Sequence, residues 1–134
     1  MPIKTKIREG IIYTELSGEI SYDVIIDYID FIGSLKGEID CRYELHDHTN
    51  TASLKLSTDD IRNITSYAIK TNDIFQQSFL AIYAPNDITY GMARMFGAFY
   101  EMENRRIHAE IFRNRENAIH YLNEKMNGHA RRPQ

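Results

Sequence analysis

Residues 78–96 read "SFLAIYAPNDITYGMARMF". From Phe79 to Ala84 no polar residue interrupts the run, and the stretch 78–84 is too short for a buried helix. A strand without polar alternation is covered on both faces and belongs at the centre of a largely parallel sheet. Pro85, Asn86 and Asp87 then turn the chain, and Asn86 or Asp87 is placed to cap the next helix. A central strand feeding straight into a helix is half of a crossover, so these residues predict an α/β domain.

The predicted helix runs from Ile88 to Asn104. Ile88, Met92, Met95, Phe99 and Met102 recur at helical spacing, yet Tyr90, Phe96, Ala98 and Tyr100 make other sides apolar as well. Such a helix must be covered on more than one side, by neighbouring helices, a partner or an apolar ligand. Gly91 and Gly97 each cost roughly 1 kcal/mol of helix stability relative to alanine, which makes sense where something packs against the backbone.

Reading outward, residues 3–8 and the run beginning at Ile11 form two strands joined by a tight turn in which Gly10 supplies the permissive backbone, and Gly18 marks where the second bends or ends. Ser21 caps a helix whose apolar stripe is Val24, Ile25, Tyr28, Phe31 and Ile32, with Asp23, Asp27 and Asp30 on its solvated side. "CRYELHDH", residues 41–48, alternates: Cys41, Tyr43 and Leu45 one way, Arg42, Glu44 and His46 the other. That predicts a half-buried strand or one near a sheet edge. Ser57 and Asp60 make a capping box for a helix buried along Ile61, Ile64 and Ala68. "RRIHAEIF" alternates again, and Asn114 caps a last helix with Ala118, Ile119, Leu122 and Met126 inward, ending at Asn127 or Gly128. Strands separated by helices imply right-handed crossovers, and so a mixed, mostly parallel sheet of about five strands with about four helices. Residues 1–128 are expected to form one domain and 129–134 a disordered tail.

The totals narrow the function. With 134 residues, 43% of them hydrophobic and 26% charged, the chain has ordinary globular composition. A net charge of −3 argues against nucleic acid as the main partner. No apolar run approaches the ~20 residues of a membrane helix, and the N-terminus lacks a secretory pattern, so a cytoplasmic location is expected. The single cysteine, Cys41, reads as packing.

"GIIYTELSGEIS" together with "LAIYAPNDITYGMARMF" and "EIFRNRENAIHYL" resembles anti-sigma-factor antagonist domains of the STAS type, and in particular the SpoIIAA-like small bacterial proteins. The positions that carry the resemblance are Tyr90, Gly91, Ala93, Arg94 and Met95, then Phe112, Arg113, Ala118, Tyr121 and Leu122. The resemblance implies a STAS-like fold and non-catalytic work: partner binding, switched by phosphorylation of a hydroxyl at the start of the second helix. Here no Ser-Ser-Gly turn stands at that place, and Ser57 and Thr58 are the candidate phosphoacceptors. A related fold class holds lipids between sheet and helices.

Ligand crevices in open α/β sheets form beyond the carboxyl ends of the strands. That rule points to the loop from Asp47 to Thr58 and the start of the helix at Tyr90. The candidate ligand- or partner-binding residues are Asp47, Thr49, Tyr90 and Arg94, with Arg94 either anchoring an acidic head group or pairing with Asp47 or Glu101. His46 and His48 face one side of a strand and Asp47 the other, short of the three or four ligands of a zinc site. The expectation is thus a non-catalytic module for a protein partner, a second copy of itself or a small apolar or acidic ligand, with no catalytic residue, metal or cofactor. The alternatives are a small metal-dependent hydrolase built on His46-Asp47-His48, and a lipid carrier.

Overall fold

A computed structural model describes residues 2–35, 37–71, 75–103 and 106–130. The elements are β1 (Ile3–Arg8), β2 (Ile11–Leu16), β3 (Gly18–Ser21), α1 (Tyr22–Gly33), β4 (Cys41–Asp47), β5 (Thr51–Lys55), α2 (Thr58–Thr71), β6 (Gln77–Tyr83), α3 (Asp87–Glu103), β7 (Ile107–Phe112) and α4 (Arg115–Ala130). β1 and β2 pair antiparallel across the two-residue loop Glu9-Gly10, whose φ angles of 52° and 82° are those of a type I′ turn. Glycine suits that positive φ at position 10, and a Cβ there would displace the flexible end of Met126, whose Cε would lie at 2.8 Å.

The main sheet has the order β1-β2-β4-β6-β7, and every pairing after the first is parallel. Each crossover steps to the adjacent strand in the same direction. Right-handed crossovers of that kind put their helices on one face, and α1, α2 and α3 do cover one face together. Ile29, Ile64, Ala68 and Tyr100 of these helices pack on Leu80 and Ile107, while Tyr28 and Ile32 pack on Ile12. α4 returns alone across the other face, where Ala118 and Leu122 meet Ile11, Tyr43, Leu45 and Ala81.

The expected α/β architecture is present, with three differences. β3, beyond the expected bend at Gly18, and β5, within the expected loop from Asp47 to Thr58, form a second, two-stranded parallel sheet. β4 is the middle strand of five, not an edge, so its polar face lies under helices instead of water. The buried stripe of α3 is Thr89, Ala93 and Tyr100, with Phe96 partly buried, one position round from the expected one. Ile88 and Met102 are 72% and 78% exposed. Gly97 does sit against β7, where a Cβ would be 3.0 Å from Ile111 Cδ1, but Gly91 has nothing within 4 Å. α1 stops at Gly33 and leaves Phe31 exposed, and α4 continues through Gly128 to Ala130. The expected end of α3 at Asn104 and tail residues 131–134 lie outside the described residues.

Candidate functional site

Parallel strands end together, so the carboxyl ends of β4, β6 and β7 share one rim. Asp47 stands opposite Tyr83 in the β4–β6 register, and the amide of His48 donates to Tyr83 O at 3.0 Å. The Asp47 carboxylate accepts from Thr49 N at 2.9 Å and Thr49 Oγ1 at 2.6 Å, and pairs with Arg115 Nε at 3.7 Å. Asn86 caps α3 by accepting from Thr89 N at 2.9 Å. Asp87 receives Arg113 Nη2 at 2.5 Å, and the Arg113 guanidinium lies 4.7 Å from the centre of the Tyr90 ring. Arg94 is exposed and lies 6.0 Å from that ring, while Asp47 takes Arg115 as its ion-pair partner. Segments 47–58 and 87–94 therefore share one end of the molecule. Arg113, in the turn after β7, and Arg115, the first residue of α4, reach one to each segment. Ser57 and Thr58 are exposed at the start of α2. Ser57 N donates to Asp60 Oδ2 at 2.9 Å and Asp60 N to Ser57 Oγ at 3.0 Å, the reciprocal pattern of a capping box.

A second constellation lies beneath the rim, on the helix-covered face of β4. Arg42 and Glu44 are only 3% and 1% exposed. Glu44 Oε1 accepts from Tyr28 OH and from His46 Nε2, the latter at 2.5 Å, and Glu44 Oε2 lies 3.5 Å from Arg42 Nε. Tyr28 has one proton and gives it to the carboxylate. It must therefore accept from Thr14 Oγ1 at 2.6 Å, and Thr14 in turn accepts from Thr5 Oγ1 at 3.4 Å. The hydroxyl chain from β1 through β2 and α1 thus points toward one buried carboxylate.

Burial pushes the Glu44 carboxyl up. The charges of His46 and Arg42 and the hydrogen bonds from His46 and Tyr28 outweigh that and hold it at about 2. The Tyr28 phenol is raised well above its ordinary value, first by burial and then by Glu44 beside it. Two residues on, burial lowers the His48 imidazole to about 4, helped by the charge of His46 and opposed by Asp47. Thr51 Oγ1 donates its only proton to Leu16 O at 2.9 Å, so at 3.0 Å it must accept from His48 Nδ1. Neutral His48 is then the Nδ1–H tautomer, with a lone pair left on Nε2.

A cavity of about 80 Å³ separates this strand face from the helices. Tyr28, Arg42, Glu44, His46, His48 and Thr89 supply its polar lining, and isoleucines and leucines most of the rest. His48 and Thr89 belong to the two rim segments, so the hollow those segments reach lies below the rim. Asp47, Thr49, Tyr90 and Arg94 are not among its lining residues. The sequence reading missed Tyr28, Arg42 and Glu44, since strict alternation resembles a solvated strand face. The available signal was the uncovered apolar surplus of α3 and the apolar run of β6, which together imply that strands beside β6 are covered too.

His46 and His48 are engaged by Glu44 and Thr51, Asp47 faces away, and no group of three or more His, Cys, Asp or Glu able to hold a metal occurs among the described residues. The cavity at about 80 Å³ is smaller than the ~150 Å³ that admits one benzene ring, so it does not hold an acyl chain as it stands. No helix among the described residues is long and apolar enough to cross a membrane.

Two solved structures share the architecture. One is an uncharacterized protein from the DUF3478 family with a SpoIIAA-like fold from Shewanella loihica PV-4. It is 15% identical, with 90% of this chain and 91% of that chain covered at a TM-score of 0.58. The other is the anti-sigma factor antagonist SpoIIAA in its unphosphorylated form, 10% identical, with 90% of this chain and 97% of that chain covered at a TM-score of 0.51. At such identities the likeness concerns the fold, and the chain has a SpoIIAA-like fold. No protein-family model and no curated protein matches the sequence.

Proposed function

We propose that the chain is a non-catalytic regulatory module of the cytoplasm that binds a protein partner through its C-terminal rim. The supporting observation is the convergence there of segments 47–58 and 87–94, which sets exposed charges of both signs around an aromatic ring. Asp47, Thr49, Tyr90 and Arg94 are the proposed contacts, with Arg113 joining them through the Tyr90 ring. Arg and Tyr are the residue types that anchor protein interfaces, and a mixed-sign surface selects its partner by charge pattern. The partner is another protein or a second copy of this chain, and exposed Ile88 gives the patch an apolar component. The name of one structural neighbour, an anti-sigma factor antagonist, supports partner binding as the mode of action.

Ser57 and Thr58 are proposed as regulatory phosphoacceptors. A phosphate on Ser57 replaces the hydroxyl that caps α2 with anionic acceptor oxygens and sets negative charge beside Asp59 and Asp60. That would change the charge of the rim.

A photo-crosslinking residue at position 91, compared with one at position 7 on β1, tests the reading. The expected result is a discrete adduct from position 91 alone, lost in Arg113→Glu. Equal labelling from both positions, or an adduct indifferent to Arg113→Glu, contradicts it. Sedimentation at micromolar concentrations then assigns the adduct to a second copy or to another protein.

A further inference from the structure

The buried network of β4 is not needed for recognition at the rim, and it has a feature of its own. Two of its side chains are satisfied incompletely. Glu44 Oε2 and Arg42 Nε are buried with no hydrogen-bond partner among the described residues, and at 3.5 Å they face one another without bonding. Leaving such groups unmet is costly. Both side chains line the cavity. So does His48, whose Nε2 is left with a lone pair by the donor count at Thr51.

The charges of Arg42 and Glu44 offset each other, so the buried pair offers no surplus charge to a carboxylate or an ammonium group, and the partly exposed His46 directs its Nε2 to the same carboxylate. What it offers is one N–H donor beside one carboxylate acceptor, with a second acceptor further along the strand. A group that accepts and donates at once completes that pair: a hydroxyl or a carboxamide. Around this head the walls are alkyl and aromatic, from Ile29, Ile64, Leu80, Ile82, Ala93 and Phe96. The volume of about 80 Å³ limits the whole ligand to about three or four heavy atoms, given that ~150 Å³ admits the six of benzene.

We propose that the cavity between β4 and helices α1–α3 is a binding site for a small neutral molecule with a short alkyl body and a hydroxyl or carboxamide head, seated on Arg42 and Glu44. A charged ligand is disfavoured in this cavity, because Arg42, the one buried cation among the described residues, already faces its anion. The site is separate from the rim, and its failure or success leaves the rim proposal untouched.

Methyl-labelled protein titrated with ethanol, acetamide, acetate, ethylammonium and propane tests it. The neutral polar probes should give saturable shifts of the Ile29, Ile64, Leu80 and Ile82 methyls, below the concentration at which the Leu45 and Leu122 methyls begin to move. Acetate, ethylammonium and propane should each bind at least tenfold more weakly. Ala93→Leu, which fills the cavity, should abolish the shifts while Leu45 and Leu122 keep their positions. Ala68→Val serves the same purpose if that variant does not fold. Absence of saturable shifts from both neutral probes means the cavity holds water alone and overturns the proposal. A charged or purely apolar probe that binds as well as ethanol, or shifts that survive in the filled variant, overturns it equally.

Discussion

The two faces of the main sheet are built on different principles, and β4 contributes to both. Its odd positions, Tyr43 and Leu45, lie against α4 in an apolar layer with Ile11, Ala81, Ala118 and Leu122. Its even positions, Arg42 and Glu44, are as deeply buried, yet they carry opposite charges and adjoin a cavity under three helices. The topology explains the asymmetry of cover: three crossovers in one direction load one face, and one terminal helix serves the other. The α4 face is held by close apolar contact, which tolerates loss in proportion to the volume removed. The network face is held by compensation, which fails abruptly when one partner is taken away.

Removing Glu44 should break the contrast most severely. Glu44→Leu strands Arg42 as an unpaired buried cation and should cost about 3–5 kcal/mol in urea unfolding, while Arg42→Met combined with Glu44→Leu should recover most of that loss. On the α4 face, Leu122→Ala should cost about 3 kcal/mol through the cavity it opens, whatever the pH. The network face should respond most strongly to mild acid, because His108 on the α4 face is shifted in the same direction but stays exposed. His48 is held neutral in the folded protein at about 4 against 6.5 when unfolded, so the unfolded chain binds more protons between those values. Stability is then full above 6.5 and should fall by about 3 kcal/mol as pH drops through the window. His48→Gln should flatten that slope in unfolding curves taken at pH 7 and pH 4.5. The smallest effect belongs to the rim. Asp47 and Arg115 are partly exposed at 3.7 Å, and Arg115→Ala should change stability by no more than about 0.5 kcal/mol.

Much of this was legible in the residues. The apolar run of β6, the caps at Ser57, Asn86 and Asn114 and the alternation of β4 and β7 define the α/β order and the rim. Alternation at Arg42, Glu44 and His46 tells which side chains share a face, but not whether that face is wet, because burial depends on strands and helices far away in sequence. The same limit hid Tyr28. A tyrosine on an apolar helical stripe looks like core, and its role as a donor to Glu44 exists only once α1 crosses β4. β5 was hidden for another reason: Thr51–Lys55 is short and polar, and it becomes a strand by pairing with β3. At the rim, Arg113 and Arg115 followed a readable strand end. Their reach to Asp87 and Asp47 needed the parallel register.

The side-chain carboxyl resonance of Glu44, followed by carbon NMR as pH is lowered from 7, bears most directly on the claim that the polar face of β4 is a buried, charge-compensated network. The carboxylate should remain ionised well below pH 4 and titrate at about 2. A midpoint near the ordinary 4.5 would mean that Glu44 is solvated, and that the three-helix face is not what has been described.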